Sequence, residues 1–453
     1  MLYFCGRVGN FEKNHTKITL LFNKKENCMR KRFFTFLVLM FALVNTQIVR
    51  ADIETICTSG VFEVVCLYHG PSDDDYEVYV NGIDHYVEVV DGNEVAVAAL
   101  KNLVIPAKIH AKFESYNQLK GGKDLEGDFD FHFGPKPFIY IYAADTIIET
   151  ISFEEGITEI PDQFYERPEE VDAMNFEDEG YSRLVQVNIP ASVERIGKRA
   201  FRGHPNLDKV LITTPGSLHK ICDEAFRAIA SKEMGLMMDE YTYYSSLASI
   251  NLPSTLNELE DRAFYGNTAL KSITLGEDLM NIGEEVFAQC GLEEITLDKC
   301  GASPSSTGTF EGCPLKKVTV VPTVSTGYVA EIPSNFFAGV GYNSDPFELV
   351  FDKADEEYEA IYFQDHCFGS AAIKSITFPK KFVKGSYGYN IKFGVQSFIS
   401  TLAFTELDLA AVTCAEDVLF EEESFRGSGI GKLTLNERTR TIDKNAFRAS
   451  KVK

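Results

Sequence analysis

Two acidic runs in the chain have the residue types that glycosidic bond hydrolysis needs. Asp355-Glu356-Glu357 and Glu421-Glu422-Glu423 each offer neighbouring carboxylates, and glycosidases use a carboxylate pair as acid and base or as acid and nucleophile. The chain holds 67 Asp and Glu, so such runs also arise by chance, and we expect them to be solvated surface. No G-x-S-x-G elbow, Gly-rich phosphate loop or H-E-x-x-H motif occurs. We therefore expect no enzymatic activity and no cofactor.

Metal sites have equally little support in the sequence. The acidic run 73–75 is typical of a solvated loop, and Asp130 and His132 share a predicted strand face without a third ligand. His204 and His219 lie at predicted turns, where a surface or capping role is expected rather than catalysis. We expect no metal site.

The ten cysteines do not form a dense disulfide framework. Cys57 and Cys66 are the one close pair in a plausible setting for a disulfide, but spacing alone does not fix the geometry, so a bridge between them stays open. Cys290 and Cys313 each precede a leucine of the repeat described below, a position that predicts a buried thiol.

The N-terminal segment has the pattern of an export signal. From Met29 a basic stretch is followed by about 12 apolar residues and then a short polar stretch ending at Ala51, so we expect a signal peptide over 29–51 with cleavage after Ala51. Residues 1–28 lack this character, which suggests translation from Met29. The apolar run is too short to span a bilayer, and no later segment is a membrane span, so none is expected in the mature chain.

The charge of the chain limits its partners. The formal net charge is −23, and without residues 1–51 it becomes −30, with 35 Lys and Arg against 65 Asp and Glu. A protein this acidic repels nucleic acid and anionic membranes, so we expect neither as the main partner. With 45% hydrophobic residues the chain is long enough to bury a large core.

Residues 52–145 predict a small β-rich N-terminal cap or domain. Alternating runs at 76–80 and 86–90 are separated by turn dipeptides, and residues 129–142 alternate again around a Pro/Gly break. The open end of a repeat array needs such a cover for its core.

Residues 146–453 predict an array of about eleven repeat units. Residues 247–264 read LASINLPSTLNELEDRAF and residues 270–287 read LKSITLGEDLMNIGEEVF, with later copies starting at Leu292 and Leu315. A fixed period of 22 or 23 residues indicates a solenoid. Each unit has a strand phrase and a closing phenylalanine: Phe164, Phe201, Phe226, Phe264, Phe287, Phe310, Phe337, Phe368, Phe398, Phe425 and Phe447.

The longer units contain intrusions, which we interpret as loops at 166–183, 229–246, 321–331, 352–362, 380–390 and 410–419.

In the phrase L-x-x-I-x-I the last two apolar residues face the same side of a short strand. The phrase V/L-x-x-I-G makes a second apolar contact, and the phenylalanine packs inward. One unit cannot bury its apolar face alone, so neighbouring strands must stack.

The segments IPASVERIGKRAF (189–201) and LPSTLNELEDRAF (252–264) resemble the BspA-like leucine-rich repeat family, over roughly residues 147–447. The resemblance implies a right-handed leucine-rich-repeat-like β-solenoid with a parallel sheet on one face. It also implies surface-exposed or secreted proteins, largely of anaerobic gut or oral bacteria, in which the repeats bind and adhere. The array stops six residues after Phe447, which suggests either a truncated product or an end covered by another chain.

Two surfaces are candidate binding sites for a protein or glycan ligand. Stacked strands place outward polar residues in stripes on the strand face: Asn188, Asn251, Thr274, Thr296, Thr319, Thr377, Asp408 and Thr434 in one stripe, and Lys209 in its neighbour. Ser and Thr are also ordinary exposed strand residues, so a plain solvated sheet is the alternative. The second candidate is a set of loop tyrosines: Tyr241, Tyr243, Tyr244, Tyr358, Tyr362, Tyr387 and Tyr389.

We therefore predict an exported, non-enzymatic repeat protein that mediates protein or glycan binding and adhesion at a bacterial cell surface. Two alternatives stay open, namely a carbohydrate-active enzyme on a β-solenoid and a structural component of a surface layer. The enzyme requires two or three carboxylates converging in one groove, about 5–10 Å apart.

Overall fold

The computed structural model describes residues 53–59, 62–68, 76–83, 87–90, 93–96, 98–113, 125–134, 147–167, 170–172, 182–234, 239–299, 303–304, 308–324, 328–341 and 345–452. The predicted signal peptide at 29–51 and the residues before it lie outside this range. No helix in the described part of the chain is long and apolar enough to cross a membrane.

The described residues form 35 strands and one short helix. The first elements are β1 (Ile53–Ser59), β2 (Phe62–Tyr68), β3 (Tyr76–Ile83), β4 (Val87–Val90), β5 (Asn93–Ala96), α1 (Ala98–Lys101), β6 (Asn102–Ile105), β7 (Lys108–Phe113) and β8 (Leu125–Asp130). They are followed by β9 (Thr150–Phe153), β10 (Glu159–Ile160), β11 (Glu170–Asp172), β12 (Gln186–Ile189), β13 (Arg195–Ile196), β14 (Lys209–Ile212), β15 (Lys220–Ile221), β16 (Ile229–Met234), β17 (Asp239–Tyr244), β18 (Ser249–Ile250), β19 (Glu258–Leu259), β20 (Ser272–Leu275), β21 (Asn281–Ile282), β22 (Glu294–Asp298) and β23 (Ser303–Pro304). The last are β24 (Lys317–Val321), β25 (Thr323–Val324), β26 (Tyr328–Ile332), β27 (Phe347–Phe351), β28 (Glu357–Phe363), β29 (Ile373–Thr377), β30 (Lys381–Phe382), β31 (Tyr389–Phe393), β32 (Glu406–Asp408), β33 (Asp417–Phe420), β34 (Lys432–Thr434) and β35 (Thr439–Ile442).

One compact unit contains the antiparallel strands β1, β2 and β3 and the hairpin of β7 and β8. Val65, Leu67 and Tyr79 form a small buried core in it. The backbone N–H of Val80 donates to the carbonyl of His132 at 2.7 Å, and the N–H of Gly134 donates back to Val80 at the same distance. Gly134 lies so close to strand β3 that a Cβ there would come within 2.9 Å of the Tyr79 ring.

The second compact unit is the solenoid, and its first sheet is parallel. Strands β6, β9, β12, β14 and β18 form one stretch of this sheet, β20, β22, β24, β27 and β29 form the next, and β32 pairs with β34. From β9 onward each repeat unit contributes one strand. Strand β6, which lies within the segment 52–145, pairs with β9 and so extends the solenoid sheet. The predicted repeat solenoid with a parallel sheet is confirmed.

Burial alternates along these strands as the strand phrase predicts. In β20 Ile273 and Leu275 are buried while Ser272 and Thr274 are exposed, because successive side chains of a strand point to opposite faces. The in-register pairing of β20 with β22 and of β22 with β24 repeats this pattern in neighbouring units. One face of the sheet therefore covers the core and the other meets solvent.

A second line of parallel strands runs along the solenoid. Its first half consists of the two-residue strands β10, β13, β15, β19, β21 and β23. In β13 and β21 the paired isoleucine belongs to the V/L-x-x-I-G phrase. Its second half consists of the longer strands β26, β28, β31, β33 and β35. The interpretation of 321–331, 352–362, 380–390 and 410–419 as loops is therefore largely wrong, since these segments include most of β26 and β28 and the start of β31 and β33. Their aromatic and β-branched residues favour extended structure.

The closing phenylalanines form a continuous ladder inside the solenoid. All eleven predicted residues take part, and consecutive ring centroids lie 4.7 to 5.6 Å apart. Two residues before the ladder phenylalanine, nine units have a non-glycine residue with φ between 52° and 61°, for example Arg262 and Glu285. This left-handed turn directs the phenylalanine inward and lets its N–H pair with the next unit, as Phe264 does with Val286 at 3.0 Å.

The two earliest intrusions form a small side sheet instead of irregular loops. Strand β11 pairs in parallel with β16, and β16 and β17 form an antiparallel hairpin. The side sheet therefore joins segments from the first and third repeat units.

Candidate functional site

The predicted polar stripe lies on the solvent face of the first sheet. Thr274, Thr296 and Thr319 are in register on three adjacent strands, and Asp408 is in register with Thr434. All nine predicted residues are exposed or half-exposed: Asn188, Lys209, Asn251, Thr274, Thr296, Thr319, Thr377, Asp408 and Thr434. Their common placement follows from the strand alternation.

This strand face satisfies much of its own polarity. The amide of Asn188 donates to the Ser152 hydroxyl at 2.7 Å and accepts from the Gln186 amide at 2.8 Å. Lys374 pairs with Glu348 at 2.8 Å, and Lys432 pairs with Glu406. The stripe is also interrupted by Leu211, which is 52% exposed. These polar side chains bond to or pair with one another, which is typical of a solvated sheet.

The tyrosines of the side sheet line a shallow groove. Tyr241, Tyr243 and Tyr244 lie in β17, and the described side chains of Tyr243 and Tyr244 are half-buried. The groove has a volume of about 380 Å³ and is lined by Pro205, Asn206, Tyr243, Tyr244, Ser245, Ser246 and Thr268. The Tyr243 hydroxyl already has a partner within the protein, since it donates to that of Tyr265 at 3.2 Å.

Tyr358 is wrongly predicted as a loop residue available for binding. It lies in β28 and is fully buried, with its hydroxyl donating to the backbone carbonyl of Asp352. Its ring contacts those of Phe351 and Phe382. Burial raises the pKa of this hydroxyl well above its usual value. Tyr358 is therefore part of the core, because the segment that contains it is a strand.

Three other predicted tyrosines form a cluster at the surface of the second sheet. Tyr362 in β28 and Tyr389 in β31 have ring centroids 6.2 Å apart, and those of Tyr387 and Tyr389 are 5.9 Å apart. The Tyr362 and Tyr389 rings meet edge to face at 66°, while the Tyr387 and Tyr389 rings are tilted at 53°, so neither pair is a flat stack. Tyr387 is 49% exposed, while the other two are half-buried. We call these three residues the tyrosine cluster.

Lys392 fixes one side of the tyrosine cluster. Its ammonium lies 4.7 Å from the centroid of the Tyr362 ring and 2.7 Å from a carboxylate oxygen of Glu421. Burial alone would lower the pKa of Lys392, but the hydrogen bond and charge of Glu421 outweigh it and raise the pKa above its usual value. Burial raises the pKa of Tyr362 and Tyr389, so both hydroxyls stay protonated at neutral pH.

The loop that carries Tyr387 is held by buried polar groups. The carboxylate of Glu359 accepts from the Ser386 N–H at 2.7 Å and from its hydroxyl at 2.9 Å. The buried Asn390 donates to the carbonyls of Glu359 and Val383 at 2.8 and 2.9 Å. Its side-chain oxygen accepts from the N–H groups of residues 415 and 416. Tyr387 is therefore presented by a well-anchored turn.

Sequence reasoning names the three tyrosines but not the residues that position them. Lys392, Glu359 and Asn390 belong to no recognisable motif, and their roles follow only from strand pairing between units. Gly388 has φ +75° between Tyr387 and Tyr389, a left-handed conformation that glycine adopts freely. The local signal that could have found this turn is the run Ser386-Tyr387-Gly388-Tyr389.

A buried ionic cluster lies on the phenylalanine turns of the first three units. Glu224 contacts Arg199 at 2.6 Å, Arg202 at 3.1 Å and Arg227 at 2.8 Å, and Arg202 also pairs with Glu166. Burial would raise the pKa of Glu224, but the hydrogen bond from Arg199 and the neighbouring guanidinium charges hold it below its usual value. The sequence gives no sign of this cluster.

The residues with catalytic or ligand chemistry do not converge. Glu421 pairs with Lys392, Glu423 with Arg426, and Asp355 with Lys380. Asp130 is exposed and lies 3.6 Å from Lys108. In the described ranges no group of three or more His, Cys, Asp and Glu side chains is placed to hold a metal ion. The acidic run 73–75 lies outside the described residues.

The register of β1 and β2 does not favour the open Cys57–Cys66 bridge. Cys66 pairs with Thr55, and Cys57 pairs with Val64, so the two cysteines are diagonal neighbours. Diagonal positions lie roughly 7–8 Å apart, beyond the usual Cα separation of a disulfide. Cys290 and Cys313 are buried as expected, each donating to the carbonyl of the phenylalanine that closes the preceding unit.

The stacked strands, the phenylalanine ladder and the recurring left-handed turn define a leucine-rich-repeat type of solenoid. A family model described as "BspA type Leucine rich repeat region" matches six copies in residues 175–237, 237–344 and 361–453, which is more than half of the chain. The chain belongs to this family. A comparison with curated proteins finds no match.

Solved structures with some similarity include leucine-rich repeat proteins and a vaccine antigen. A leucine-rich repeat protein from Bacteroides ovatus ATCC 8483 is 14% identical, with 85% of this chain and 90% of that one covered and a TM-score of 0.33. A leucine rich cell surface protein from Faecalibacterium prausnitzii A2-165 is 13% identical, with coverages of 87% and 92% and a TM-score of 0.29. The pneumococcal vaccine antigen PcpA is 13% identical, with coverages of 73% and 99% and a TM-score of 0.21.

Proposed function

We propose that this protein is exported and acts at a bacterial cell surface as a non-enzymatic binding protein. Family membership supports this proposal, because the BspA-like repeat is typical of surface-exposed or secreted proteins. The signal-peptide pattern from Met29 to Ala51 supports export independently of the repeats. Cell fractionation tests export. The exported form should begin at Asp52, and an intact cytoplasmic chain that keeps residues 29–51 would contradict it.

The tyrosine cluster is the observation that carries the binding role. Interfaces are enriched in aromatic side chains because these bury a large area at a small cost in conformational entropy. Tyr387 is the only tyrosine among the exposed large hydrophobic side chains of the described residues, and it adjoins Tyr389. Unlike the strand face, the cluster leaves aromatic surface in contact with water, so we place the ligand there.

The ion pairs on the acidic runs support a role without catalysis. A glycosidase needs one carboxylate with a raised pKa and a second one that is ionised and reaches the substrate. Hydrogen bonds with lysine lower the pKa of Asp355, and hydrogen bonds with Gln396 and Arg426 lower that of Glu423. A carboxylate with a lowered pKa is ionised at neutral pH and is therefore a poor general acid.

A binding screen tests this function directly. The full chain would be screened against immobilised glycans and extracellular-matrix proteins beside a Tyr387→Ala/Tyr389→Ala variant. A matched Thr274→Ala/Thr296→Ala variant changes the strand face instead. We expect a ligand whose binding is lost in the tyrosine variant and kept in the threonine variant. Loss only in the threonine variant would move the site to the strand face, and hydrolysis of a polysaccharide would overturn the non-enzymatic role.

A further inference from the structure

The surroundings of the tyrosine cluster are polar rather than aliphatic. Tyr362 is in register with Glu331 of β26 on one side and Lys392 of β31 on the other. Gln364 donates to Glu331, and Lys392 pairs with Glu421. Tyr387 is the only member of the cluster among the exposed large apolar side chains of the described residues. A protein-binding hot spot usually has an apolar core around its aromatic anchors, whereas the described neighbours in register with Tyr362 on both sides are charged.

The polar groups beside the rings are already paired with one another. A ligand that carried a full charge would have to break the pair of Lys392 with Glu421 or compete with the contact of Gln364 with Glu331. An anionic ligand would also meet a protein with a formal net charge of −23. The position for a cation over the Tyr362 ring is filled by Lys392. The site therefore favours an uncharged ligand.

The same groups suit a ligand that both donates and accepts hydrogen bonds. Carboxylate and amide oxygens beside the rings accept, while the Lys392 ammonium and the tyrosine hydroxyls donate. A hydroxyl group does both, so a polyhydroxylated ring could engage these groups without displacing the ion pair. The apolar C–H face of such a ring can pack on an aromatic ring. Small-ligand sites commonly combine an aromatic wall of this kind with a few precisely placed polar groups.

The cluster is also held in place before any ligand arrives. Ser386 is bonded to the buried Glu359, and Asn390 ties its turn to the backbone of two neighbouring segments. Gly385 passes so close to Glu359 that a Cβ would come within 1.9 Å of its side chain, which leaves room only for glycine. Such anchoring lowers the entropy lost on binding.

From these observations we propose that the tyrosine cluster is a binding site for neutral glycans. The proposal rests on the proposed function, since it names the ligand class of the same site. The glycan is an uncharged oligosaccharide whose sugar ring packs against Tyr387 and Tyr389. Its hydroxyls bond to Glu331, Gln364 and Lys392.

A glycan array probed with the full chain tests the ligand class, followed by titration calorimetry with the best neutral oligosaccharide. We expect neutral glycans to bind, Tyr387→Ala to weaken binding by roughly tenfold or more, and Tyr387→Phe to weaken it by less, since the ring is kept. Met280→Ala, which removes an exposed apolar side chain outside the tyrosine cluster, is the matched control and should bind normally. Urea unfolding of each variant verifies that the fold is kept.

Each contrary result has a distinct meaning. Exclusive binding of charged glycans, or neutral-glycan binding that survives Tyr387→Ala and Tyr389→Ala, overturns the neutral-glycan site. Binding of a protein or a cationic peptide that is lost in Tyr387→Ala, without glycan binding, overturns the ligand class but keeps the proposed function. Failure to bind any glycan, peptide or matrix protein overturns both.

Discussion

The guanidinium of Arg202 lies 3.1 Å from the carboxylate of Glu224, and both side chains are about nine-tenths buried. The same carboxylate also contacts Arg199 and Arg227. One buried anion therefore holds three cations at the phenylalanine turns of adjacent units. Removing a single partner from a buried ion cluster leaves uncompensated charge in a poorly hydrated environment.

Glu224→Gln should destabilise the protein strongly. We expect a loss of about 3–5 kcal/mol in the free energy of unfolding, because three guanidinium groups lose their shared counter-charge. Urea unfolding followed by circular dichroism measures this change. The matched control is Glu285→Gln at the equivalent turn, where Arg262 is about half exposed and a loss below about 1 kcal/mol is expected. Equal losses of unfolding free energy in the two variants would show that burial of the Glu224 cluster does not set its contribution to stability.

Glu224 should also contribute to acid sensitivity. Its pKa is depressed in the folded protein, so its stabilising contribution is present above the unfolded pKa of about 4.5 and is lost as the pH falls through the lower folded pKa. The unfolding free energy of Glu224→Gln should therefore fall less steeply than that of the unchanged protein below pH 4.5. Parallel curves from pH 5 to pH 3 would show that other carboxylates dominate.

His204 should make stability depend on pH in a higher range. Burial lowers its pKa to about 3, and the neutral ring bonds to the Tyr165 carbonyl at 2.7 Å and the Ser182 hydroxyl at 2.6 Å. The unfolded chain binds this proton from about pH 6.5 downward. The stabilising contribution is therefore full above pH 6.5 and declines by about 1.4 kcal/mol per pH unit toward pH 3.

His204→Asn tests that pH dependence with a side chain that another repeat unit has at the equivalent position. Asn267 lies at the equivalent position three residues after Phe264 and donates to the Phe226 carbonyl at 2.9 Å. The variant should fold and should lose part of the slope of unfolding free energy between pH 6.5 and pH 4. An unchanged slope would show that His204 is not the group responsible.

Phe287 should be a strong contributor to the ladder. It is fully buried, with ring centroids 5.4 Å from Phe264 and 5.6 Å from Phe310. We expect Phe287→Ala to lower the unfolding free energy by about 3–5 kcal/mol and Phe287→Leu to lower it by less, because leucine fills more of the cavity. Urea midpoints of the two variants measure this order, and equal midpoints would contradict it.

Asn390→Ala should loosen the turn that presents Tyr387. The substitution leaves two carbonyls and two N–H groups without their side-chain partner, so a loss of several kcal/mol is expected from about 1–3 kcal/mol per unsatisfied buried group. Hydrogen exchange of residues 383–390 measures the loosening. Faster exchange confined to this turn and to the partner N–H groups at 415–416 is the expected result, and unchanged exchange would contradict the anchoring role of Asn390.

Repetition in the sequence determined the scaffold. A period of 22 or 23 residues, the strand phrase and the eleven phenylalanines predict the first sheet and the ladder, because each repeat solves the same local packing problem. The prediction fails where the second strand lengthens. The segment around Tyr358 lacks the I-G phrase and resembles a loop, yet it forms β28 and pairs with β26 and β31 of the neighbouring units.

Only the tertiary structure decided which side chains form the tyrosine cluster on the surface. Tyr362 and Tyr389 are 27 residues apart in the sequence and touch because β28 and β31 pair in parallel, while Lys392 reaches the Tyr362 ring across the same pair of strands. The sequence by itself determined which residues repeat, since local periodicity reflects burial within each unit. Only the stacking of units decided which side chains meet on the surface, because those contacts join residues that no local pattern relates.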